Sequence, residues 1–288
     1  MIPAQFDYEV ASTVPEAIAG LQSHADARVI AGGQSIIPVL KARGISLSVL
    51  IDISRISELR GIAVTRDAIE IGPLTTHREI EDSEELRRFL PIMGEAADLV
   101  ADPPVRNRGT FGGSLAYADP GGDWPAVALA LEARLEATGP GGTRIIPIDD
   151  FFIDRLTTAL GRDEILTRIR MPLPRGTVGM AYGKLRHPAS GYALVGVAVV
   201  IRLDEVGVCR SCRVAVTGAG PRATLVRATC EALVGQRLTP DALREASYQA
   251  SIGLSLSSDI YAGEEYRAHL VRVYVERSLR TATARAGR

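Results

Sequence analysis

Apolar and polar positions follow two different periods along this chain, and the changes of period divide it. Residues 6–54 read as strand, helix, strand, helix, strand: "FDYEVAS", "TVPEAIAGLQSHAD", "ARVIAGG", "QSIIPVLKARG" and "LSVLIDIS". In the first helix Thr13 is placed to cap, Pro15 is tolerated in the first turn, and Glu16 can complete a capping box. In the second, Ser35 is the predicted N-cap, Pro38 sits in the first turn and Gly44 ends the segment. Apolar strands joined by short helices need crossover connections, which predicts a small parallel sheet.

From Leu59 the period changes. "GIAVTRDAIEIGP" alternates on either side of Arg66 and Asp67, the pattern of an antiparallel hairpin. "THREIEDSEELRRFLPIMGEAADLVA" has helical apolar spacing, as does "DWPAVALALEARLEAT"; "DPPVRNRGTFGGSLAYADPGG" between them is turn-rich. Strands are predicted at "TRIIPI" and "EILTRIRMP", and "MPLPRGTVG" marks a boundary near residue 175. Beyond it a three-strand meander, "AYGKLR", "YALVGVAVVIRLD" and "VGVCRSCRVAVTGAG", precedes helices near residues 223–234, 239–253 and 263–280, an α+β pattern. The tail "TATARAGR" shows no apolar periodicity and is predicted to fray.

Composition narrows the function. With 288 residues, 46% of them hydrophobic, there is material for two modest domains. A net charge of -1 argues against a nucleic-acid surface. "MIPAQFDYEV" lacks the features of a secretory signal and no stretch is long and apolar enough to span a membrane, so a cytoplasmic location is expected. Three cysteines, Cys209, Cys212 and Cys230, do not make a disulfide framework and are read as reduced thiols.

Two glycine pairs carry the candidate chemistry. Gly32 and Gly33 end a buried strand before a helix whose first N–H groups lack internal partners, with Ser35 adding a hydroxyl. Gly112 and Gly113, flanked by Thr110 and Ser114, repeat the arrangement. Two sets of backbone and hydroxyl donors from different elements suit a pyrophosphate, and so a dinucleotide, without a basic patch. Arg106 and Arg108 are read as solvated. Asp123 either caps the helix beginning at Trp124 or accepts from sugar hydroxyls; spacing alone favours the cap. A rival GxGxxA at Gly218, Gly220 and Ala223 lies between a strand and a helix, but no second strand ending in an acidic residue follows, so a structural turn is favoured. Cys209 and Cys212 form a CxxC on a predicted strand, where residues three apart face opposite ways, and no further ligand pair suggests a metal. His77 and His187 have no nucleophile motif to serve and receive no role; Lys184 matters only if its strand faces a cofactor.

Taken together, "AGGQSIIPVLKAR", "VRNRGTFGGSLAYADPGGDWPAVALAL", "TTALGRDEILTRIRMP" and "YGKLRHPASGYALVGVAVVI" resemble the FAD-binding medium subunits of molybdenum hydroxylases, the group containing carbon monoxide dehydrogenase, xanthine dehydrogenase and bacterial N-heterocycle dehydrogenases. The resemblance runs through most of the chain. It implies an FAD-binding PCMH-type domain over residues 1–175, with subdomains of about 1–55 and 56–175, and a C-terminal domain over 176–288 with a three-stranded antiparallel sheet and a helical bundle. By position it places Val29, Ile30, Ala31, Gly32, Gly33, Gln34, Ser35 and Ile36 on one side of the FAD pyrophosphate. Thr110, Phe111, Gly112, Gly113 and Ser114 fall on the other. Asp123 takes a cofactor-contacting position, Leu166 a backbone contact to the flavin, Lys184 a place near the isoalloxazine, and Tyr192 one near the ring face. It further implies a molybdenum-cofactor large subunit and a two-cluster 2Fe–2S small subunit as partners, in a dimer of heterotrimers, with this chain as the electron outlet. The cofactor carries the chemistry, so no acid, base or nucleophile is named. Two readings compete: a dinucleotide-binding or assembly module without turnover, and a free-standing NAD-dependent dehydrogenase using Gly218 and Gly220.

Overall fold

The structure, a computed structural model, describes residues 2–287. Strands Asp7–Val10, Arg28–Ile30 and Val49–Asp52 form a parallel sheet with Val49–Asp52 in the centre, as the crossover argument predicts. Helix Val14–Ser23 is capped by Thr13, whose hydroxyl accepts the Glu16 N–H; the Glu16 carboxylate accepts from the N–H of Ser12, one residue earlier than a capping box requires. Ser35 does not cap helix Ile36–Lys41. It has helical backbone angles itself and its side chain bonds none of the helix N–H groups, which leaves the hydroxyl free for other contacts.

A five-stranded antiparallel sheet follows, in the order Ile62–Val64, Ala68–Ile71, Ile165–Pro172, Arg134–Gly139, Gly142–Pro147. Its first two strands are the predicted hairpin. The long helical segment between residues 76 and 101 is instead three helices, His77–Asp82, Glu84–Phe89 and Pro91–Leu99. Ser83 breaks the first join by capping the second helix through Leu86 N–H. Leu90 breaks the second, because the residue before a proline is pushed out of the helical region. The turn-rich segment holds two short helices, Pro103–Arg106 and Phe111–Tyr117. Conversely, the helix predicted to run to Thr138 stops at Ala130; Glu132 turns with φ 56°, and Arg134–Gly139 is a strand between two partners. Strong helix formers there yield to sheet pairing and burial.

The C-terminal sheet pairs Thr177–Arg186, Ala193–Leu203 and Cys209–Thr217, and has a fourth, two-residue strand, Thr224–Leu225, where three were predicted. Helix Glu264–Ala286 packs across it, so the segment expected to fray is ordered: Ala282 is fully buried, and the Arg285 guanidinium holds the Met180 carbonyl and Glu95. Small apolar side chains at helical spacing suffice for that contact, and they leave a weak signal in the sequence. A bulge at the start of Cys209–Thr217 sets two of its residues against one of Ala193–Leu203, which turns Cys209 and Cys212 to the same buried face, where alternation predicts opposite faces. The three cysteines are free thiols.

Helix Asp123–Ala130 is the keystone for the site. All eight of its residues are buried, and it packs against the C-terminal sheet and helices Pro91–Leu99 and Phe111–Tyr117, within one core that includes Leu135, Ile169, Tyr182, Ala198 and Ala215. Hydrophobic on every side, it has no solvent face.

Candidate functional site

A cleft of about 770 Å³ opens where the parallel sheet, helix Phe111–Tyr117 and the loop of Ser190, Gly191 and Tyr192 meet, within the size range of small-molecule sites. Both glycine loops line it. Gly33 has φ +75°, a conformation open chiefly to glycine, and Gly32 lies against the opposite loop: a Cβ there would stand 2.0 Å from the Arg108 carbonyl oxygen. The two loops therefore touch each other through bare backbone, and glycine is required for protein packing as well as for access.

The two loops are not equivalent. Helix Phe111–Tyr117 spends its N–H groups internally: Phe111 on Thr75 O at 2.9 Å, Gly112 on Pro73 O at 2.9 Å, Ser114 on Thr110 O at 3.0 Å, and Gly113 on the Thr110 hydroxyl at 3.1 Å. Thr110 is thus a helix cap. The first loop is the reverse: the consecutive N–H groups of Gly32, Gly33, Gln34, Ser35 and Ile36 find no acceptor among the described residues, and all five residues line the cleft. A run of unpaired backbone donors facing a cavity is an anion-binding concavity. The expected pair of donor sets is therefore one donor set and one wall, to which Ser114 adds a hydroxyl that bonds no described residue.

Asp123 corrects the preference for a capping role. It is the first residue of its helix, Gly122 holds the cap position, and the carboxylate makes no cap bond. It accepts from the Tyr182 hydroxyl at 2.5 Å and from Lys184 Nζ at 2.9 Å, and Nζ also donates to Leu99 O at 3.0 Å. Asp123 lines the cleft; the Lys184 side chain is fully enclosed behind it. Burial pushes the Asp123 carboxyl above the ordinary carboxylate range, against the pull of Lys184 and Tyr182, and pushes the Lys184 ammonium down against the pull of Asp123. Burial, with Asp123 beside it, raises the Tyr182 phenol well above its usual value, so it remains a donor. No sequence motif pointed to Tyr182; the alternation of its strand with Lys184 two residues on, and hence the same face, was the available signal.

The remaining predicted positions separate. Val29, Ala31 and Leu166 line the cleft, Leu166 beside a bulge in its strand. Ile30 packs beneath the first loop and Phe111 edge-on against Trp124, ring centroids 5.1 Å apart, so neither faces the cavity. Tyr192 lines it, and burial first, then Asp119 and Tyr117, push its phenol up to about 12, with the Ser35 side chain opposing. Arg106 is buried on Glu81 and Val100 O, not solvated; Arg108 is exposed. His187 accepts N–H bonds from Ala189 and Ser190 and orders the loop leading to Tyr192. The rival glycines are packing residues: a Cβ on Gly218 would meet Ala193 O at 2.4 Å and one on Gly220 would meet Ser255 O at 2.3 Å.

An unpaired N–H run opposite a capped helix, closed by a buried Asp–Lys–Tyr cluster, defines a dinucleotide-binding protein built from an α/β half and an antiparallel half. The first 171 matched residues, 4–174, fit the family described as the FAD binding domain in molybdopterin dehydrogenase, and residues 180–282 fit the CO dehydrogenase flavoprotein C-terminal domain. The chain belongs to this family: it is an FAD-binding oxidoreductase subunit of the molybdenum hydroxylase type. It is 37% identical to the carbon monoxide dehydrogenase medium chain of Hydrogenophaga pseudoflava, covering 99% of both chains, and 35% identical to the nicotine 6-hydroxylase medium subunit of Paenarthrobacter nicotinovorans, covering 96% of this chain and 97% of that one. The solved structure of the Hydrogenophaga carbon monoxide dehydrogenase lacking the Mo-pyranopterin moiety superposes with a TM-score of 0.96 at 38% identity, covering 99% of both chains.

Proposed function

We propose that this chain is the electron-transfer subunit of a cytoplasmic molybdenum hydroxylase complex, in which bound FAD takes electrons from the iron-sulfur clusters of a partner and delivers them to an external acceptor. The partners are a molybdenum-cofactor large subunit and a two-cluster 2Fe–2S small subunit, assembled as a dimer of heterotrimers. Residues 1–175 and 176–288 act as the two domains. The observation that carries the reading is the run of unpaired N–H groups from Gly32 to Ile36 on the cleft wall, which fits a pyrophosphate that no cationic side chain needs to neutralise.

The chain's own residues bind and orient. Val29, Ala31 and the Gly32–Ile36 backbone hold one side of the pyrophosphate; the Thr110–Ser114 turn, with Gly112 and Gly113, walls the other and offers the Ser114 hydroxyl. Ile30 and Phe111 support these loops from behind. Asp123, held by Tyr182 and Lys184, presents a fixed acceptor to hydroxyl or N–H groups of the cofactor, and Leu166 covers the flavin side. Lys184 acts through Asp123, because its side chain is enclosed. Tyr192 flanks the ring.

The test compares Gly32→Ala with Gly220→Ala in purified chain. A methyl at residue 32 drives the loops apart, so flavin stoichiometry should fall from near one to near zero; Gly220→Ala should lower the melting temperature with flavin retained. The opposite ranking would transfer the site to the GAGPRA turn. Within the complex, the flavin absorbance should bleach when the partners receive substrate; a flavin that stays oxidised would make this chain an assembly module.

A further inference from the structure

His77 opens helix His77–Asp82 and is only 5% exposed, yet it forms part of the cleft wall. Its Nδ1 lies 3.0 Å from Trp124 Nε1. An indole nitrogen can only donate, so Nδ1 is the acceptor and the proton of the neutral ring sits on Nε2. Burial, with Arg106 adding to it, keeps the ring neutral by pushing its pKa down to about 4.

The Nε2–H group has no acceptor among the described residues. It is not sealed off either, since the one enclosed, unpartnered side-chain polar atom among those residues is Thr283 Oγ1. Nε2 lies at the seam of the two loops: a Cβ on Gly109 would come within 2.7 Å of it, and a Cβ on Gly32 would stand 2.9 Å from Gly109 Cα. Gly32 is where the unpaired N–H run begins. A donor that faces the cleft and has no protein acceptor is available to a ligand there, and its tautomer is set by a second buried ring.

Resting on the FAD reading, we propose that His77 is a cofactor-binding residue whose Nε2–H donates a hydrogen bond to a pyrophosphate oxygen of the bound dinucleotide. Trp124 acts as the positioning residue that fixes this tautomer. The donor is neutral, so it adds direction without charge, beside the backbone amides of the Gly32–Ile36 run.

Two substitutions separate the donor from a purely structural role. Asparagine keeps an acceptor where Nδ1 meets Trp124 and loses the Nε2 donor; glutamine places an amide near Nε2 and loses the acceptor for Trp124. Titrating deflavinated full-length chain with FAD, followed by flavin fluorescence, should show His77→Asn binding about ten- to hundredfold more weakly than wild type and His77→Gln within about threefold. The reverse ranking, or wild-type affinity in His77→Asn, overturns the proposal and leaves FAD binding intact; a wild-type chain that fails to bind FAD overturns the underlying reading instead. If either variant does not fold, ¹⁵N-histidine labelling of wild type decides, because the chain has four histidines. The Nε2-bound proton of His77 should shift and become protected from exchange when FAD is added; an unchanged signal overturns the proposal.

Discussion

His77 has an ordinary imidazole reference near 6.5 and a folded value of about 4. Between those values the unfolded chain binds a proton that the folded chain refuses, so stability is fully present above pH 6.5, falls as the pH drops through this window, and levels off below about 4. The shift corresponds to roughly 3 kcal/mol. Urea titrations of wild type and His77→Asn at pH 7 and pH 4 should therefore show a loss in wild type larger than in the variant by that order. Nothing in the sequence assigned this residue a role. Its environment depends on Trp124, 47 positions away, and on Gly109, neither of which any local spacing relates to it. Gly33 is the contrast, since a glycine between strand and helix signals a positive φ locally, and the structure has one there.

The elements around the cleft divide their hydroxyl groups between holding the fold and facing the cavity. Thr110 caps helix Phe111–Tyr117, whereas Ser35 caps nothing although both precede a helix by one position. Thr110→Ala should destabilise the chain by about 1 kcal/mol, as loss of a cap does, and Ser35→Ala by no more than a few tenths, both read from chemical denaturation of the flavin-free chain. Adding FAD should reverse the order of interest, with Ser35→Ala gaining less stability from the ligand than wild type. Strands Ala68–Ile71, Val49–Asp52 and Ile165–Pro172 were readable because alternation or continuous apolarity reports burial directly. Helix ends were less so. The breaks at Ser83 and Leu90 interrupt a pattern whose apolar spacing continues through them, and Arg134–Gly139 carries helix formers that are overruled by strands on both sides.

For the molecule as a whole, the buried Asp123–Lys184 pair is one of several polar links between its halves and the one enclosed at the cleft, joining the central helix of the first to the edge strand of the C-terminal sheet. Removing one partner leaves the other unpaired in the interior, so Asp123→Asn and Lys184→Met should each destabilise by about 3–5 kcal/mol. The double variant should lose much less than the sum, and a double-mutant cycle by guanidinium titration measures the difference. Near-additive losses would mean that the two side chains act separately.

By itself the chain determined its α+β class, the parallel first sheet, the hairpin, the glycine loops and the family, because each is carried by residues close in sequence: periodicity, caps and short motifs act over a turn or a strand. Tertiary structure alone decided which loop keeps its N–H groups free, that Asp123 is a paired buried acceptor and not a cap, that a bulge turns both strand cysteines inward, and that His77 carries its proton on the nitrogen facing the cleft. Those outcomes depend on where a donor's competing acceptor lies, and acceptors such as Pro73 O, Thr75 O and Lys184 reach these groups only after distant segments have packed.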